Sequence, residues 1–182
     1  MKTKQLTMTA MFTALTILFA QIILPLSFTP VPLSLSLLPV YLSGAILPKR
    51  YAVYSQLVYL LTGVAGLPVF AGFKGGPGVL FGPTGGFLIA YPVMAFLTAW
   101  ILELVKKKTV LGCVPAMLAA LAACYLCGSL FYVFVGHVSW VKSLSVTVFP
   151  FILFDLIKVA ATASLAPVIN KSLMKAKLIQ IV

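Results

Sequence analysis

Val146-Thr-Val-Phe-Pro-Phe-Ile-Leu-Phe-Asp155-Leu-Ile-Lys158-Val-Ala-Ala161 is the stretch that decides how this chain folds. With the residues down to Ile169 it reaches membrane length, yet it holds the chain's one aspartate and a lysine three positions on. A charged side chain at the bilayer centre costs roughly 2.5–3.5 kcal/mol on insertion scales, so such residues face a protein interior and serve a pathway or a ligand. At a spacing of three on a helix the two side chains share a face. They either neutralise each other as a structural ion pair or grip one polar ligand together. A chain this apolar has no obvious need of a buried pair, which favours the ligand. Phe151, Asp155, Lys158 and Thr162 fall on one helical stripe, with the Thr162 hydroxyl expected to bond back to its own helix.

Outward from this run the rest of the chain is of the same kind. Of 182 residues 62% are hydrophobic and only 8% charged, and the mean hydropathy is +1.16, far outside the soluble range. Crossing the hydrocarbon takes roughly 20 apolar residues. Six segments are read as spans: Thr7 to Pro25, Leu33 to Leu47, Tyr51 to Leu67, Thr84 to Val105, Leu111 to Val135 and Val146 to Ile169. The chain is expected to be an all-α integral membrane protein forming one domain over residues 1–182.

The net charge of +11 would suggest nucleic acid in a soluble protein, but its distribution points to lipid. Lys2, Lys4, Lys49, Arg50, Lys106, Lys107, Lys108, Lys171, Lys175 and Lys177 fall on one side of six spans. Only Lys74 and Lys142 fall on the other. The cation-rich side is cytoplasmic, so both termini are expected inside a plasma-membrane protein, beside acidic lipid. In a span starting at Val146, Asp155 would lie some 13 Å from the outer end at ~1.5 Å per residue.

Between the third and fourth spans, Gly63 to Gly86 holds nine of the thirteen glycines. Glycine and proline break regular structure and let backbone approach a ligand. Leu67, Val69, Phe70, Phe73, Val79, Leu80 and Phe81 make this segment apolar. It is expected to fold over the outer face of the membrane as a lid, not to hang as a plain loop. It lacks the Gly-Lys-Ser/Thr ending of a phosphate loop.

Other polar residues carry less. Cys124 and Cys127 share a helix face without histidine or carboxylate, and Cys113 is alone, so a metal site is not expected. His137 reads as a solvated loop residue, and Glu103 as a surface partner of Lys106 and Lys107. No nucleophile has a base within reach, which argues against an enzyme. The Lys-Thr-Lys start and apolar run imitate a signal peptide without its small-residue cleavage site. Three classes stand at this point: a membrane protein that binds a polar ligand, an ion-coupled secondary transporter using Asp155, and a membrane assembly factor. A proton relay usually offers several carboxylates along its path, which weakens the second.

Gly66-Leu-Pro-Val-Phe-Ala-Gly-Phe73, Gly82-Pro-Thr-Gly-Gly-Phe-Leu88, Phe154-Asp-Leu-Ile-Lys158 and the turn Phe28-Thr-Pro-Val-Pro32 together resemble the BioY family. These are the biotin-specific substrate-binding (S) components of energy-coupling factor importers. The resemblance implies a six-helix protein that captures biotin from outside, works with a transmembrane coupling (T) protein and two cytoplasmic ATPases, and needs no cofactor. An S component for another water-soluble vitamin is the nearest alternative. The chain departs from the family pattern at Ser34-Leu-Ser36, where Thr-Leu-Gln is common, at Ala90, where glycine is frequent, and at Tyr91, where phenylalanine is usual.

The implied ligand contacts are Asp155 and Lys158 on the ureido ring, with Tyr59, Phe70, Phe87 and Tyr91 as apolar walls. The carboxylate would meet backbone N–H groups of the glycine-rich segment together with Lys74, and Gly72 and Thr84 of that segment are further expected ligand contacts. In the reversed pose Lys158 takes the carboxylate. Ala10 and Ala14 in the first span resemble the small-residue motif that docks the coupling protein, and small residues four apart do let helices approach closely.

Overall fold

A computed structural model describes residues 2–24, 32–106 and 109–176. Phe28 to Val31 of the expected turn, Pro25 at the end of the first expected span, and Lys107, Lys108 and Lys177 lie outside these residues. Among the described residues the chain runs α1 (Lys2–Ala20), β1 (Ile23–Leu24), β2 (Leu33–Ser34), α2 (Leu37–Ile46), α3 (Lys49–Val64), α4 (Pro77–Phe81), α5 (Gly85–Val105), α6 (Val110–Gly136), α7 (Trp140–Thr147) and α8 (Ile152–Lys175). Helix dominates, as the composition requires. Strands β1 and β2 pair antiparallel, Ile23 opposite Ser34.

Among the described residues three helices, α5, α6 and α8, are long and apolar enough to cross a membrane. Each carries an internal proline, Pro92, Pro115 and Pro167 respectively, which lipid-embedded helices tolerate when neighbours satisfy the freed carbonyls. Their outward residues are apolar: Leu104, Leu126, Phe134, Leu153 and Val168 are all exposed. A helix that is apolar all round needs a lipid or protein surround on every side. Helices α5 and α6 interlock through glycine. The Phe87 ring occupies the space a side chain at Gly128 would fill, and Phe131 does the same at Gly86. Small residues permit that approach.

The second and third expected spans are helices of 10 and 16 residues, about 15 and 24 Å long at ~1.5 Å per residue. Leu33 and Ser34 belong to β2, so the second helix starts four residues later than expected. The break between α2 and α3 falls at Leu47, extended with ψ of 152° ahead of Pro48, because a residue before proline avoids the helical region.

The largest departure concerns the last expected span. Val146 to Ile169 is not one helix: α7 ends at Thr147 and α8 begins at Ile152. Pro150 disfavours helix at Phe149, and the chain turns there. Asp155 therefore lies in the first turn of α8, not some 13 Å along a span. Helix α7 is also polar inward. Ser143 and Thr147 are buried, with Ser143 Oγ donating to Ser129 O at 3.1 Å, while Val141 is exposed.

Side-chain contacts show which helix ends lie together. Thr13 Oγ1 donates to Ser55 O at 2.8 Å in mid-helix and Gln21 Nε2 to Val69 O at 3.0 Å past the helix ends, so α1 and α3 run parallel with their starts at one end. Asn170 Nδ2 donates to Ala45 O at 3.2 Å, joining late α8 to the end of α2. Lys49 Nζ pairs with Glu103 Oε2 at 2.9 Å, joining the start of α3 to late α5. Lys4, Lys49, Arg50, Lys106, Lys171 and Lys175 thus cluster towards one end of the bundle. Among the described residues Glu103 pairs with Lys49 across helices, not with Lys106 one turn on.

Candidate ligand-binding cavity

At the opposite end the helices enclose a cavity of about 320 Å³, near the lower bound of the ~300–1,000 Å³ usual for small-molecule sites. Its polar centre is the Asp155–Lys158 pair. Lys158 Nζ donates to Asp155 Oδ1 at 2.8 Å, and the two side chains are 8% and 5% exposed. Tyr125 Oη of α6 donates to Asp155 Oδ2 at 2.7 Å. The first turn of α8 adds its own support, since the positive end of the helix dipole favours a carboxylate there. Asp155 keeps acceptor capacity beyond these bonds, because an ionised carboxylate offers about four lone-pair sites. Lys158, with three donors, likewise keeps N–H groups to give.

Aromatic rings form much of the remaining wall. Tyr59 meets Phe70 edge-on at 5.5 Å and stacks with Tyr91 at 6.1 Å, two arrangements favourable to ring pairs. Phe70 reaches the cavity from the glycine-rich segment because Gly63 has no side chain: the ring fills the space a Cβ would take. The segment is held from both sides. Phe70 N donates to Lys74 O at 2.9 Å, and Gly76 N to Gly63 O at 2.7 Å. Gln21 from the end of α1 donates to Val69 O at 3.0 Å and accepts from Phe73 N at 2.9 Å. Gly76 has φ of 92°, a backbone region that glycine enters without the usual side-chain clash. Phe70, Lys74, Val79 and Thr84 all line the cavity, so this segment closes one side of it.

The structure brings together Asp155, Lys158, Tyr59, Phe70, Lys74, Thr84, Phe87 and Tyr91 as cavity lining. Gly72 is not among the lining residues. Its φ of 74° shapes the turn instead, and a Cβ there would meet Ile23. Ala10 and Ala14 are exposed on α1 and do not line the cavity. Thr162 donates to Lys158 O at 2.7 Å, the local bond expected for it. Cys124 is buried in the cavity wall and Cys127 is exposed, so the two do not share an environment. His137 ends α6 with φ of 49° and is exposed. Among the described residues no group of three or more His, Cys, Asp or Glu comes together.

Three polar side chains were not singled out as contacts from sequence. Tyr125 carries a signal that could have exposed it, since a tyrosine inside an apolar span needs a hydroxyl partner. Ser34 and Ser36 stood out only as departures from a pattern. Ser34 Oγ lies 2.7 Å from Ser36 Oγ, which lies 2.6 Å from Tyr91 Oη, and all three residues line the cavity.

Residues 1–175 match the model of the BioY family. A biotin transporter BioY from Thermotoga maritima is 39% identical over 163 residues, covering 90% of this chain and 94% of the relative. A probable biotin transporter BioY from Pyrococcus horikoshii is 37% identical over 167 residues, covering 91% and 96%. The crystal structure of the S-component for biotin from an ECF-type ABC transporter superposes with a TM-score of 0.85 at 29% identity, covering 96% of this chain and 92% of that one.

Proposed function

Because this chain belongs to the BioY family, we propose that its cavity captures biotin and that the chain serves as the S component of an energy-coupling factor importer. It is a membrane transport protein and not an enzyme. The observation that carries this reading is the buried Asp155–Lys158 pair opening into an aromatic-walled cavity. Biotin presents a ureido ring with N–H donors and a carbonyl acceptor. Asp155 accepts from a ureido N–H while Lys158 donates to the ureido carbonyl. Tyr59, Phe70, Phe87 and Tyr91 surround the apolar body. The carboxylate points towards the glycine-rich segment, within which Lys74 is the cation, and that segment acts as the lid.

Topology is read from the cation end. We propose six spans, α1, α2, α3, α5, α6 and α8, with both termini in the cytoplasm of a plasma-membrane protein and the cavity open outward. Lys74 is then outside. A cysteine at position 74 should react with a membrane-impermeant reagent applied to intact cells; labelling only from the cytoplasmic face would reverse this orientation. Energy comes from partners, a coupling protein and two ATPases. An ion-coupled relay is not favoured, because Glu103 lies towards the other end of the bundle, paired with Lys49.

The direct test is a thermal-stability series with purified protein and water-soluble vitamins. A ligand at 100 times its Kd adds about 2.7 kcal/mol to folding stability, so biotin should raise the Tm while other vitamins leave it unchanged. A shift with another vitamin and none with biotin would reassign the substrate.

A further inference from the structure

Most buried serines and threonines in this bundle bond to a carbonyl three or four residues back. Thr16, Ser43, Ser55 and Thr162 each do so, at 2.7–2.8 Å, the usual way a hydroxyl is satisfied in a membrane helix. Ser34 and Ser36 are placed differently. Ser34 lies in β2 and Ser36 just ahead of α2, where there is no preceding helical turn to accept. Among the described residues their hydroxyls bond to each other and to Tyr91.

The arrangement has a surplus. Three hydroxyls carry three protons, and the two bonds that link them use two. Where Ser36 accepts from both neighbours it keeps its own proton; where the bonds run head to tail, one end of the chain, Ser34 or Tyr91, keeps the proton that the chain itself does not use. Reversing the direction moves that donor from one end to the other without moving any heavy atom. All three residues are nearly buried, at 9%, 1% and 6% exposure, and all face the cavity. A donor in such surroundings gains more from a partner than it would in water.

We infer that Ser34, Ser36 and Tyr91 form a second polar subsite, which donates a hydrogen bond to an sp² oxygen of the ligand. It rests on the proposed biotin-binding role. The oxygen is either the ureido carbonyl or the carboxylate, and the chain meets it as one cooperative unit. Tyr91 is thereby a polar contact and not only an aromatic wall.

The test is calorimetric titration of purified protein with biotin and with biotinol, in which an alcohol replaces the carboxylate. Tyr91→Phe keeps the ring stacked on Tyr59 and removes only the hydroxyl, while Ser36→Ala breaks the chain at its middle. Each should weaken biotin binding roughly five- to thirtyfold, the span for a lost neutral or charge-assisted hydrogen bond. The double variant should be no weaker than the weaker single, because the chain acts as a unit. A loss that disappears with biotinol assigns the contact to the carboxylate, and one that persists assigns it to the ureido carbonyl. Affinities within about twofold of wild type in both single variants would overturn the subsite, as would fully additive losses. Failure of the wild-type protein to bind biotin would overturn the functional reading and this inference together.

Discussion

Asp155→Asn and Lys158→Met should each weaken biotin binding by about 2–5 kcal/mol, at least roughly thirtyfold, because each leaves a buried charge without its partner. The structure sharpens this expectation. Asparagine at 155 keeps one acceptor oxygen for Lys158 or Tyr125 but sets an NH2 donor where the second carboxylate oxygen accepted, so its effect combines the lost charge with one altered hydrogen bond. Methionine at 158 leaves the carboxylate with Tyr125 as its remaining side-chain partner. Both singles should also lower the Tm of the ligand-free protein, since breaking a buried pair is more costly than removing it whole. The double variant separates the two roles. It carries no unpaired charge, so its Tm should recover towards wild type while biotin affinity stays low. Biotin methyl ester adds the pose: it should bind the wild-type protein only modestly worse if the ion pair holds the ureido ring, and far worse if Lys158 holds the carboxylate. Near-normal affinity in the double variant would return the pair to a purely structural role.

What could be read from sequence followed the strength of each physical constraint. Apolar length alone located α5 and α6 to within one residue at each end, because a lipid-crossing helix leaves no room for polar breaks. It failed at Val146, where the same apolar composition hides a turn. Val148, Phe149 and Phe151 look like more of the span, and only Pro150 betrays the break between α7 and α8. The short helices α2 and α3 had the same weakness, and Pro48 again marked the joint. For the site, intramembrane charge was decisive: Asp155 and Lys158 are costly in lipid, and the fold brings them into the one cavity described. Hydroxyls were less legible. Serine and threonine are routinely satisfied by their own helix, so nothing in Ser34-Leu-Ser36 distinguishes a cavity wall from packing until the Tyr91 hydroxyl is found beside it. Gly72 illustrates a related difficulty. A glycine in a loop next to a ligand and one that merely turns the chain look alike in sequence; here its φ is positive and it is not among the cavity-lining residues.

Ala14→Trp should abolish ATP-dependent biotin uptake and leave biotin binding to the purified protein intact. The reasoning starts from the two faces of α1. Met8, Thr9, Phe12, Thr13, Thr16 and Ala20 are buried against the bundle, whereas Leu6 and Leu18 are 59% and 63% exposed. Ala10 and Ala14 are exposed between those leucines, so residues 6, 10, 14 and 18 make one outward stripe with its small residues at the centre. Of α1 only Ala20 reaches the cavity, and a bulky group at 14 points away from it. Nothing in the fold resists the substitution, and biotin affinity should stay within about twofold, as for a surface change remote from the ligand. A partner helix is another matter. Close helix approach in lipid depends on small residues at the contact, and an indole on the stripe would hold off a coupling protein that docks there. Uptake by vesicles containing the S component, the coupling protein and the ATPases should therefore fall to background, while Ala14→Gly, which keeps the surface open, should retain it. A parallel fall of binding and uptake in Ala14→Trp would mean that this face supports the cavity and does not dock a partner.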